Sequence, residues 1–338
     1  MRTTTLLLLL ASACFLHAQT PAPTVKKADA PKPKAYADPA QTDEDFKFQG
    51  EYVGLWKGDP RGVQIWAQGG GKFEAVTYNG GLPGDGWVGP QAAPANHFSG
   101  ALDAGRGVVV FKSDGCLADA DGHKISVRNE SDNAPMTTLV LKERVSPTMG
   151  AKPPADAVVL FGGKDANKFP NSKVTEDGLL MEGATSADKF KDFSIHVEFR
   201  LAYMPTSRGQ GRSNSGVYLQ GRYEIQVLDS FALEGKNNEC GGIYTIATPK
   251  VNMCLPPLTW QTYDADFTAA KYDAEGKKTA NARVSVKHNG VLIHDNVEIP
   301  HTTQSGPIST ETDTPGPIYL QNHGNPVRFR NVWVVEKK

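Results

Sequence analysis

The chain has 338 residues, and its 36 Lys and Arg residues nearly match its 37 Asp and Glu residues. This balance excludes the basic excess typical of nucleic-acid-binding proteins, so nucleic acid is not an expected partner. The length allows two domains, each with its own core. With 34 Gly, 23 Pro and few long helical patterns, the sequence predicts an all-β protein.

Residues 1–18 have the pattern of an export signal peptide. Arg2 precedes an apolar stretch, and Leu-His-Ala precedes Gln19 as a cleavage site. The stretch is too short to span a membrane, so we expect an exported protein, periplasmic or extracellular, without a transmembrane segment. The residues before Cys14 loosely resemble a bacterial lipoprotein signal. A lipid anchor at Cys14 is therefore the alternative to simple cleavage.

The next segments predict a linker, a small β domain and a second linker. Residues 19–45 are rich in Ala, Pro and Lys, and we expect them to be disordered because they cannot bury enough apolar surface. Residues 46–145 contain six or seven short strand patterns separated by glycine-rich turns, which indicates a small antiparallel β-barrel or sandwich. We expect Trp87 to cap a core there. Prolines in residues 146–155 predict an extended linker.

Residues 156–338 form the second predicted domain, with about ten short strands, a number that suits a two-sheet jelly roll. Asn289-Gly290 separates two alternating stretches and predicts a two-residue type I′ hairpin turn. The curved sheet of such a jelly roll commonly offers a groove. We therefore expect a binding site in this domain.

A second hairpin lies within Ser213–Ser230 and carries unusually polar strands. A three-residue connection pairs Gln220 with Glu224 and Tyr218 with Gln226, and it leaves the apolar side chains together on the other face. The predicted polar face consists of Tyr218, Gln220, Glu224 and Gln226. Such a face could hold a sugar, and the alternative is a solvated outer face of a sandwich.

Three cysteines remain if Cys14 is removed. Cys240 and Cys254 would close a short loop, and in an exported protein we expect them to form a disulfide. Two separate buried thiols are the alternative. Cys116 is then unpaired, and no base near it in the sequence would activate its thiol.

Four motifs in the second domain carry a family resemblance. They are NSGVYLQGRYEIQVLDS from Asn214, CGGIY from Cys240, PLTWQTYD from Pro257, and GPIYLQNHGNPVRFRNVW from Gly316. In this order they resemble the 3-keto-disaccharide hydrolase domain family, which has a concanavalin-like jelly-roll fold. The resemblance covers the whole second domain and little of the first.

The resemblance implies substrates that are glycosides or oligosaccharides already oxidised at C3 of a sugar ring. A ketone at C3 acidifies the proton at C2, so a base can remove it and expel the glycosidic oxygen at C1, after which water adds. Such a site needs a base over C2, hydrogen-bond donors around the C3 oxygen, and a proton donor at the leaving group.

The sequence offers candidates for each role. Glu224 is the first choice as base and His323 the second, because the ordinary pKa of His suits proton transfer near neutrality. Arg330, with Arg328 two residues earlier, could stabilise the enolate. The remaining predicted substrate-binding residues are polar or aromatic: Asn214, Tyr218, Gln220, Gln226, Tyr244, Asn252, Trp260 and Gln321. The structural alternatives are a turn-bracing His323, arginines paired with carboxylates, and a core Trp260.

Two other functions stay open at this stage. A retaining glucanase would need two carboxylates about 5 Å apart, but Gln226 occupies the position of the second, and Asp229 would face the other way unless a bulge intervened. A lectin-like module without catalytic activity could use the same polar face. No cofactor is expected and no His or Cys cluster indicates a metal site, while a divalent cation such as calcium held by loop oxygens stays open.

Overall fold

The computed structural model describes residues 33–87, 89, 95–113, 115–163 and 165–337. The predicted signal peptide, Cys14 and the beginning of the 19–45 linker lie outside the described residues. Strands dominate the described part, whose helical elements are the three-residue 3-10 turns Pro39–Gln41, Phe46–Phe48 and Gly209–Gly211. None of its helices is long and apolar enough to cross a membrane.

The first domain is a closed, up-and-down β-barrel, which decides between the two predicted alternatives. Its strands are β1 (Gly50–Trp56), β2 (Asp59–Gly69), β3 (Lys72–Asn79), β6 (Asn96–Asp103), β7 (Val108–Ser113), β8 (Cys116–Ala120), β9 (Lys124–Asn129) and β10 (Pro135–Leu141). Two short strands, β4 (Leu82–Pro83) and β5 (Gly86–Trp87), lie beside it. Each barrel strand pairs with its neighbours in the chain order, and β10 returns to β1. The sequence pattern missed β8, because Cys-Leu-Ala-Asp-Ala has no β-branched residue.

Alternation along the barrel strands creates two faces with different partners. On β2, Val63 and Ile65 point into the barrel, whereas Trp66 packs outward against the core of the second domain. Trp87 is buried beside Tyr78, with ring centroids 5.0 Å apart. The expectation that Trp87 caps a core is therefore confirmed, and the core continues from the barrel wall into the sandwich.

The second domain is a two-sheet sandwich of concanavalin type. Its strands are β11 (Val158–Phe161), β12 (Leu180–Met181), β13 (Ala184–Phe190), β14 (Phe193–Arg200), β15 (Ser215–Leu219), β16 (Tyr223–Val227), β17 (Trp260–Thr268), β18 (Lys271–Tyr272), β19 (Lys278–Ala280), β20 (Ala282–His288), β21 (Val291–Ile299), β22 (Gly316–Leu320) and β23 (Arg328–Glu336). The large sheet has the order β11-β23-β14-β17-β20-β21, with β12 also paired to β23. The small sheet has the order β13-β22-β15-β16. The facing sides of the two sheets enclose one apolar core.

The structure agrees with the predicted strand pairing in one of the two hairpins and differs from it in the other. His288 pairs with Val291 across Asn289-Gly290, whose φ angles of 49° and 80° fit a type I′ turn, so this prediction is confirmed. In the polar hairpin, however, Tyr218 pairs with Glu224 and Gly216 with Gln226. The predicted pairing is therefore wrong by two positions, a shift that leaves every side chain on its predicted face.

Gln220 is the residue responsible for this shift. It begins the turn in the left-handed region, at φ 54°, and is followed by Gly221 at φ 63°. Its side-chain amide donates to the carbonyls of Phe190 and Lys191, at 3.0 and 3.1 Å. Gln220 therefore braces a turn, and its predicted place on the polar face beside Glu224 is wrong.

The two predicted linkers are ordered where the structure describes them. Tyr36 is buried, its ring stacks on Tyr203 at 5.5 Å, and the two backbones exchange hydrogen bonds of 2.9 Å. Disorder is thus the wrong expectation for residues 33–45, because one aromatic side chain anchors them. Residues 146–155 turn at Ser146–Met149 instead of running extended, and Gly150 N donates to Glu198 Oε1 at 2.6 Å.

The predicted Cys240–Cys254 disulfide is absent, and both residues are buried free thiols. The Cys240 Sγ atom lies 3.2 Å from the Tyr263 hydroxyl, and the Cys254 Sγ atom lies 3.6 Å from the Leu228 carbonyl oxygen. The two thiols are also neighbours in the core, since each forms a side-chain hydrogen bond with the other. They are therefore buried free thiols but not separate ones, and Cys116 is a half-buried free thiol.

Candidate active site

A polar cluster lies on the outer face of the small sheet. Val217, Leu219 and Ile225 point into the sandwich core, so strand alternation places Tyr218 and Glu224 on the opposite side. Gln226 shares that side on β16. The predicted division into an apolar and a polar face is therefore correct for these residues.

The polar face is covered by loops and is not the open floor of a groove. Gln226 N donates to the Gly242 carbonyl at 2.9 Å and Tyr244 N to the Glu224 carbonyl at 3.2 Å, so residues 241–244 run along the edge of β16. On the same strand, Glu224 N donates to Thr303 Oγ1 at 2.9 Å. As a result the Glu224 side chain is only 3% exposed.

Glu224 is a buried acid with one neutral partner. Its Oε2 atom lies 2.8 Å from the Tyr218 hydroxyl, while Oε1 has no hydrogen-bond partner among the described residues. Burial raises the pKa of Glu224 to about 8, and the hydrogen bond from Tyr218 opposes this only in part. A carboxyl group with this pKa can accept or donate a proton near neutral pH.

The Tyr218 hydroxyl, which donates to Glu224 Oε2, has two further polar neighbours. The Tyr218 hydroxyl lies 2.6 Å from the Gln304 carbonyl, which can only accept, and 3.2 Å from Gln321 Nε2, which can only donate. When Tyr218 donates its single proton to Glu224 Oε2, it favours the ionised carboxylate; when it donates to Gln304, a protonated Glu224 can donate to the hydroxyl. Burial is therefore what favours a neutral acid in the resting protein.

Gly216 provides the space that Glu224 occupies. A Cβ atom at Gly216 would lie 2.3 Å from Glu224 Oε1 and 2.9 Å from its carboxyl carbon. Gly216 lies on β15, opposite Gln226 and next to the Tyr218–Glu224 pair. The carboxyl group therefore rests directly on the backbone of the neighbouring strand, and only glycine permits this position.

Two buried amide oxygens near this acid have no donor among the described residues: Asn214 Oδ1 and Gln321 Oε1. Asn214 Nδ2 donates to the Gln210 carbonyl at 2.8 Å, which fixes the orientation of its amide. Ser215 Oγ donates to the Gln321 carbonyl at 2.7 Å, which holds the two segments together. Buried acceptors normally have a donor, and hydroxyl groups of a ligand would supply one.

His323 lies at the same end of the small sheet. The loop from Gln321 to Val327 is held at one end by Gln321 N donating to the Gly216 carbonyl and at the other by Asn214 N donating to Asn325 Oδ1, at 2.9 and 2.8 Å. His323 is exposed between these anchors. The structure thus brings it to the rim of the polar cluster.

Arg330, Arg328 and Trp260 lie on the other side of the sandwich, so their predicted roles beside Glu224 are wrong. Arg330 Nε donates to Glu198 Oε2 at 2.6 Å, and its guanidinium group lies 4.0 Å above the Trp260 ring. Arg328 is paired with Glu182 at 2.8 Å. Residues 328 and 330 do share a strand face, but that face is the outer side of the large sheet.

The structure places the two predicted substrate-binding residues Asn252 and Tyr244 in different surroundings. The amide of Asn252 donates to the carbonyls of Ser230 and Leu233 at 2.8 and 2.9 Å and accepts from Cys254 N at 3.0 Å. Asn252 therefore holds a loop together, and its amide is already bound within the protein instead of being left for the predicted substrate contact. Tyr244 is half-buried and close enough to Tyr218 to contribute to the raised pKa of that residue.

The structure adds residues that sequence reasoning missed. Gln210 accepts from both Asn214 Nδ2 and Gln226 Nε2 at 3.0 Å, and Tyr319 is the cross-strand neighbour of Tyr218. Tyr319 alternates with Gln321 along the chain, a signal that could have placed it on the same face. Gln210 lies in a short 3-10 turn, for which the sequence had no signal.

The fold and the cluster define an all-β protein with a concanavalin-type jelly roll and one isolated, buried acid on its small sheet. Residues 156–335, more than half of the chain, match the family model described as a 3-keto-alpha-glucoside-1,2-lyase-like domain. The protein belongs to this family. The predicted resemblance is thereby confirmed.

Solved structures of proposed glycosyl hydrolases from Parabacteroides distasonis are also similar to this chain. One is 32% identical, with a TM-score of 0.49, over 54% of this chain and 85% of that one. Another is 18% identical, with a TM-score of 0.38, over 54% of this chain and 94% of that one. No curated protein matches the chain significantly.

Proposed function

We propose that the protein is a carbohydrate-active enzyme that cleaves the glycosidic bond of sugars oxidised at C3. The single observation that carries this proposal is Glu224, a buried carboxyl group with a pKa raised to about 8 and one oxygen unpaired among the described residues. Family membership supplies the substrate class. The chemistry follows from what such a carboxyl group can do to an acidified C–H bond.

In this mechanism the ionised Glu224 takes the proton from C2 through Oε1. The C2–H electron pair forms a C1=C2 double bond, and the bond from C1 to the glycosidic oxygen breaks. Water then adds at C1 and restores the 3-keto sugar. A base with a pKa near the working pH is best suited to the first step, and Tyr218 holds Oε2 so that Oε1 is the reactive oxygen.

The surrounding residues have roles that match their chemistry. Asn214 Oδ1 and Gln321 Oε1 would accept hydrogen bonds from sugar hydroxyls, since each has no other donor in the described part of the chain. Tyr244 could donate to the C3 oxygen as negative charge develops on it. His323, exposed at the rim, is the candidate to protonate the leaving oxygen.

The arrangement favours one base over a pair of carboxylates. A retaining glycosidase needs a second carboxylate about 5 Å from the first, but Gln226 occupies the neighbouring position on the strand. Asp229 is buried and bound to Arg212 Nε at 2.8 Å. Its carboxylate is therefore committed to an ion pair.

The test is an assay of the purified protein against matched 3-keto and unoxidised disaccharides and glucosides. We expect cleavage of the 3-keto substrates and, in deuterated water, exchange of the C2 hydrogen observed by NMR. Glu224→Gln should lower both rates by about 10³-fold, because the amide cannot take the proton. Equal cleavage of unoxidised sugars would refute the elimination mechanism.

Glu234→Gln is the matched control, because Glu234 is an exposed glutamate whose side chain is 73% accessible. It should keep full activity. If the wild-type protein bound 3-keto glucosides but neither exchanged C2 nor released a product, a lectin-like function would replace the proposed one. Unchanged activity of Glu224→Gln would remove Glu224 as the base.

Export of the protein is a second part of the proposal. It is supported by the sequence pattern of residues 1–18 and by the neighbouring Cys14. Mass spectrometry of the protein from its natural host separates the alternatives. A mature N-terminus at Gln19 supports simple cleavage, a lipid-modified Cys14 supports an anchored lipoprotein, and an intact Met1 overturns export by this signal.

A further inference from the structure

The barrel of the first domain encloses a cavity of about 440 Å³ that lies outside the catalytic cluster. Its walls are the inward-facing side chains of all eight barrel strands. An eight-stranded barrel can either fill its interior with side chains or hold one small ligand. This cavity falls within the size range of small-molecule sites, about 300–1,000 Å³.

The cavity exists because the two ends of the barrel are filled differently. At one end the large rings of Phe48, Tyr52 and Phe73 are fully buried and close the interior. Toward the other end the inward positions include the small residues Ala75 and Ala118. The Phe111 ring lies so close to Gly100 that a Cβ atom there would be 2.5 Å from it, so glycine leaves room for this ring beside the neighbouring strand.

Polarity changes along the cavity. The deep part is apolar, with Ile65 fully buried and Phe111 and Ile125 at 5% and 3% exposure. The mouth lies where six strands begin or end, and its residues are polar or aromatic: Trp56, Arg61, Asn79, Asn96, Ser113 and Cys116. The cavity therefore suits a molecule with an apolar body and a polar head.

Arg61 indicates the charge of that head. It shares the inward face of β2 with Val63, and its guanidinium group donates to Asn79 Oδ1. Its Nε atom is buried without an acceptor in the described part of the chain, and burial lowers the pKa of this guanidinium, while Asp59 opposes that shift without a direct contact. By contrast, Arg106 and Arg128 on the outside of the barrel are both paired with Asp119. Arg61 forms no salt bridge among the described residues.

We propose that the barrel binds a small amphipathic monocarboxylate, with its hydrocarbon body in the cavity and its carboxylate on Arg61. Guanidinium and carboxylate groups form strong, charge-assisted hydrogen bonds. An apolar lining with a few convergent polar groups at one end is the general form of a small-molecule site. This proposal does not depend on the catalytic role of Glu224.

The test uses the full-length protein and two ligands of matched chain length, decanoate and 1-decanol, in isothermal titration calorimetry. We expect saturable binding of decanoate at one site per chain. Arg61→Met should weaken decanoate binding at least 10-fold, about 1.4 kcal/mol, and leave decanol binding unchanged. Arg106→Met, which removes an exposed arginine of the same barrel, should change neither.

A second variant tests the location of the ligand. Ala118→Phe fills the cavity and should abolish binding of both probes, while circular dichroism confirms that the barrel is folded. If Arg61→Met does not fold, Arg61→Gln, which can still donate to Asn79, replaces it with the same expected loss. Absence of saturable decanoate binding to the wild type, or equal affinity in the Arg61 variant, would overturn the proposal. Glu224→Gln should bind decanoate normally, which separates this site from the catalytic one.

Discussion

Two glutamates on opposite outer faces of the sandwich are both almost inaccessible to solvent, but their pKa values are shifted in opposite directions. Glu198 on the large sheet is 1% exposed and Glu224 on the small sheet is 3% exposed. Burial raises the pKa of both, yet hydrogen bonds from Asn331, Arg330 and Gly150, with His196 nearby, lower the pKa of Glu198 to about 2. The pKa of Glu224, with Tyr218 as its one neutral donor, is raised to about 8.

The donors around each glutamate, together with the stronger desolvation of Glu224, therefore decide what each one does. Glu198 is held as an anion that ties Gly150 and Arg330 to the large sheet. Glu224 keeps its proton in the resting protein and can exchange it. The sequence alone shows two glutamates, each on a strand of alternating apolar and polar residues. Only the structure, through their hydrogen-bond partners, distinguishes a structural anion from a candidate base.

The largest expected effect is on the pH dependence of stability, to which Glu224 and Glu198 contribute in opposite directions. The folded pKa of Glu224 lies above its unfolded value, so its contribution to stability is complete below about pH 4.5 and is lost as pH rises toward 8. Glu198 behaves in reverse and loses its contribution as pH falls toward 2. Between pH 4.5 and 8.5, the stability of wild type relative to Glu224→Gln should fall by on the order of 4 kcal/mol.

Urea denaturation of both proteins across this pH range measures the difference. Parallel stability curves for wild type and Glu224→Gln would show that Glu224 titrates normally. That result would remove the contrast between the two glutamates and the basis for Glu224 as a base near neutral pH.

Glu198→Gln should destabilise the protein by about 3 kcal/mol, because it leaves Arg330 without its anion and turns an amide NH₂ toward donors. Activity per folded molecule should be unchanged. Urea denaturation at pH 7 and a kcat determination on 3-keto substrate test both statements. A large loss of kcat at full stability would place the active site on the large sheet instead.

Gly216→Ala should destabilise the protein by about 2 kcal/mol through overpacking and lower kcat/KM at least tenfold, because the new methyl group displaces Glu224. Gly211→Ala is the matched control, since a Cβ atom there has no neighbour within 4 Å. Equal activity of the two variants would show that the position of Glu224 is not important for turnover.

Tyr218→Phe should give the smallest effect, a loss of kcat/KM at pH 7 of about tenfold. Its hydroxyl lowers the pKa of Glu224, so its removal should move the rising limb of the pH–rate profile above pH 8. Tyr272→Phe, on the separate strand β18, serves as the control. If the rising limb of the pH–rate profile is unchanged in Tyr218→Phe, the group that titrates in this limb is not Glu224.

Much of the fold could be predicted from local patterns. The all-β class, the Asn289-Gly290 turn and the inward side of Val217 and Ile225 all follow from alternation and turn chemistry. Strand β8 was not predicted, because its residues have no strand pattern. The ordered segment around Tyr36 was not predicted either, because a single buried ring orders an otherwise polar stretch. Pairing in the polar hairpin was missed by two positions because Gln220 adopts a left-handed turn conformation.

The sequence by itself determined the family, the class of fold and which side chains share a strand face, because these depend on motifs and on the two-residue period of a strand. Tertiary structure decided which faces meet. It placed Arg330 and Trp260 on one sheet and Glu224 on the other, and it laid residues 241–244 beside Glu224. Long-range packing sets burial and hydrogen-bond partners, and these give Glu224 its raised pKa.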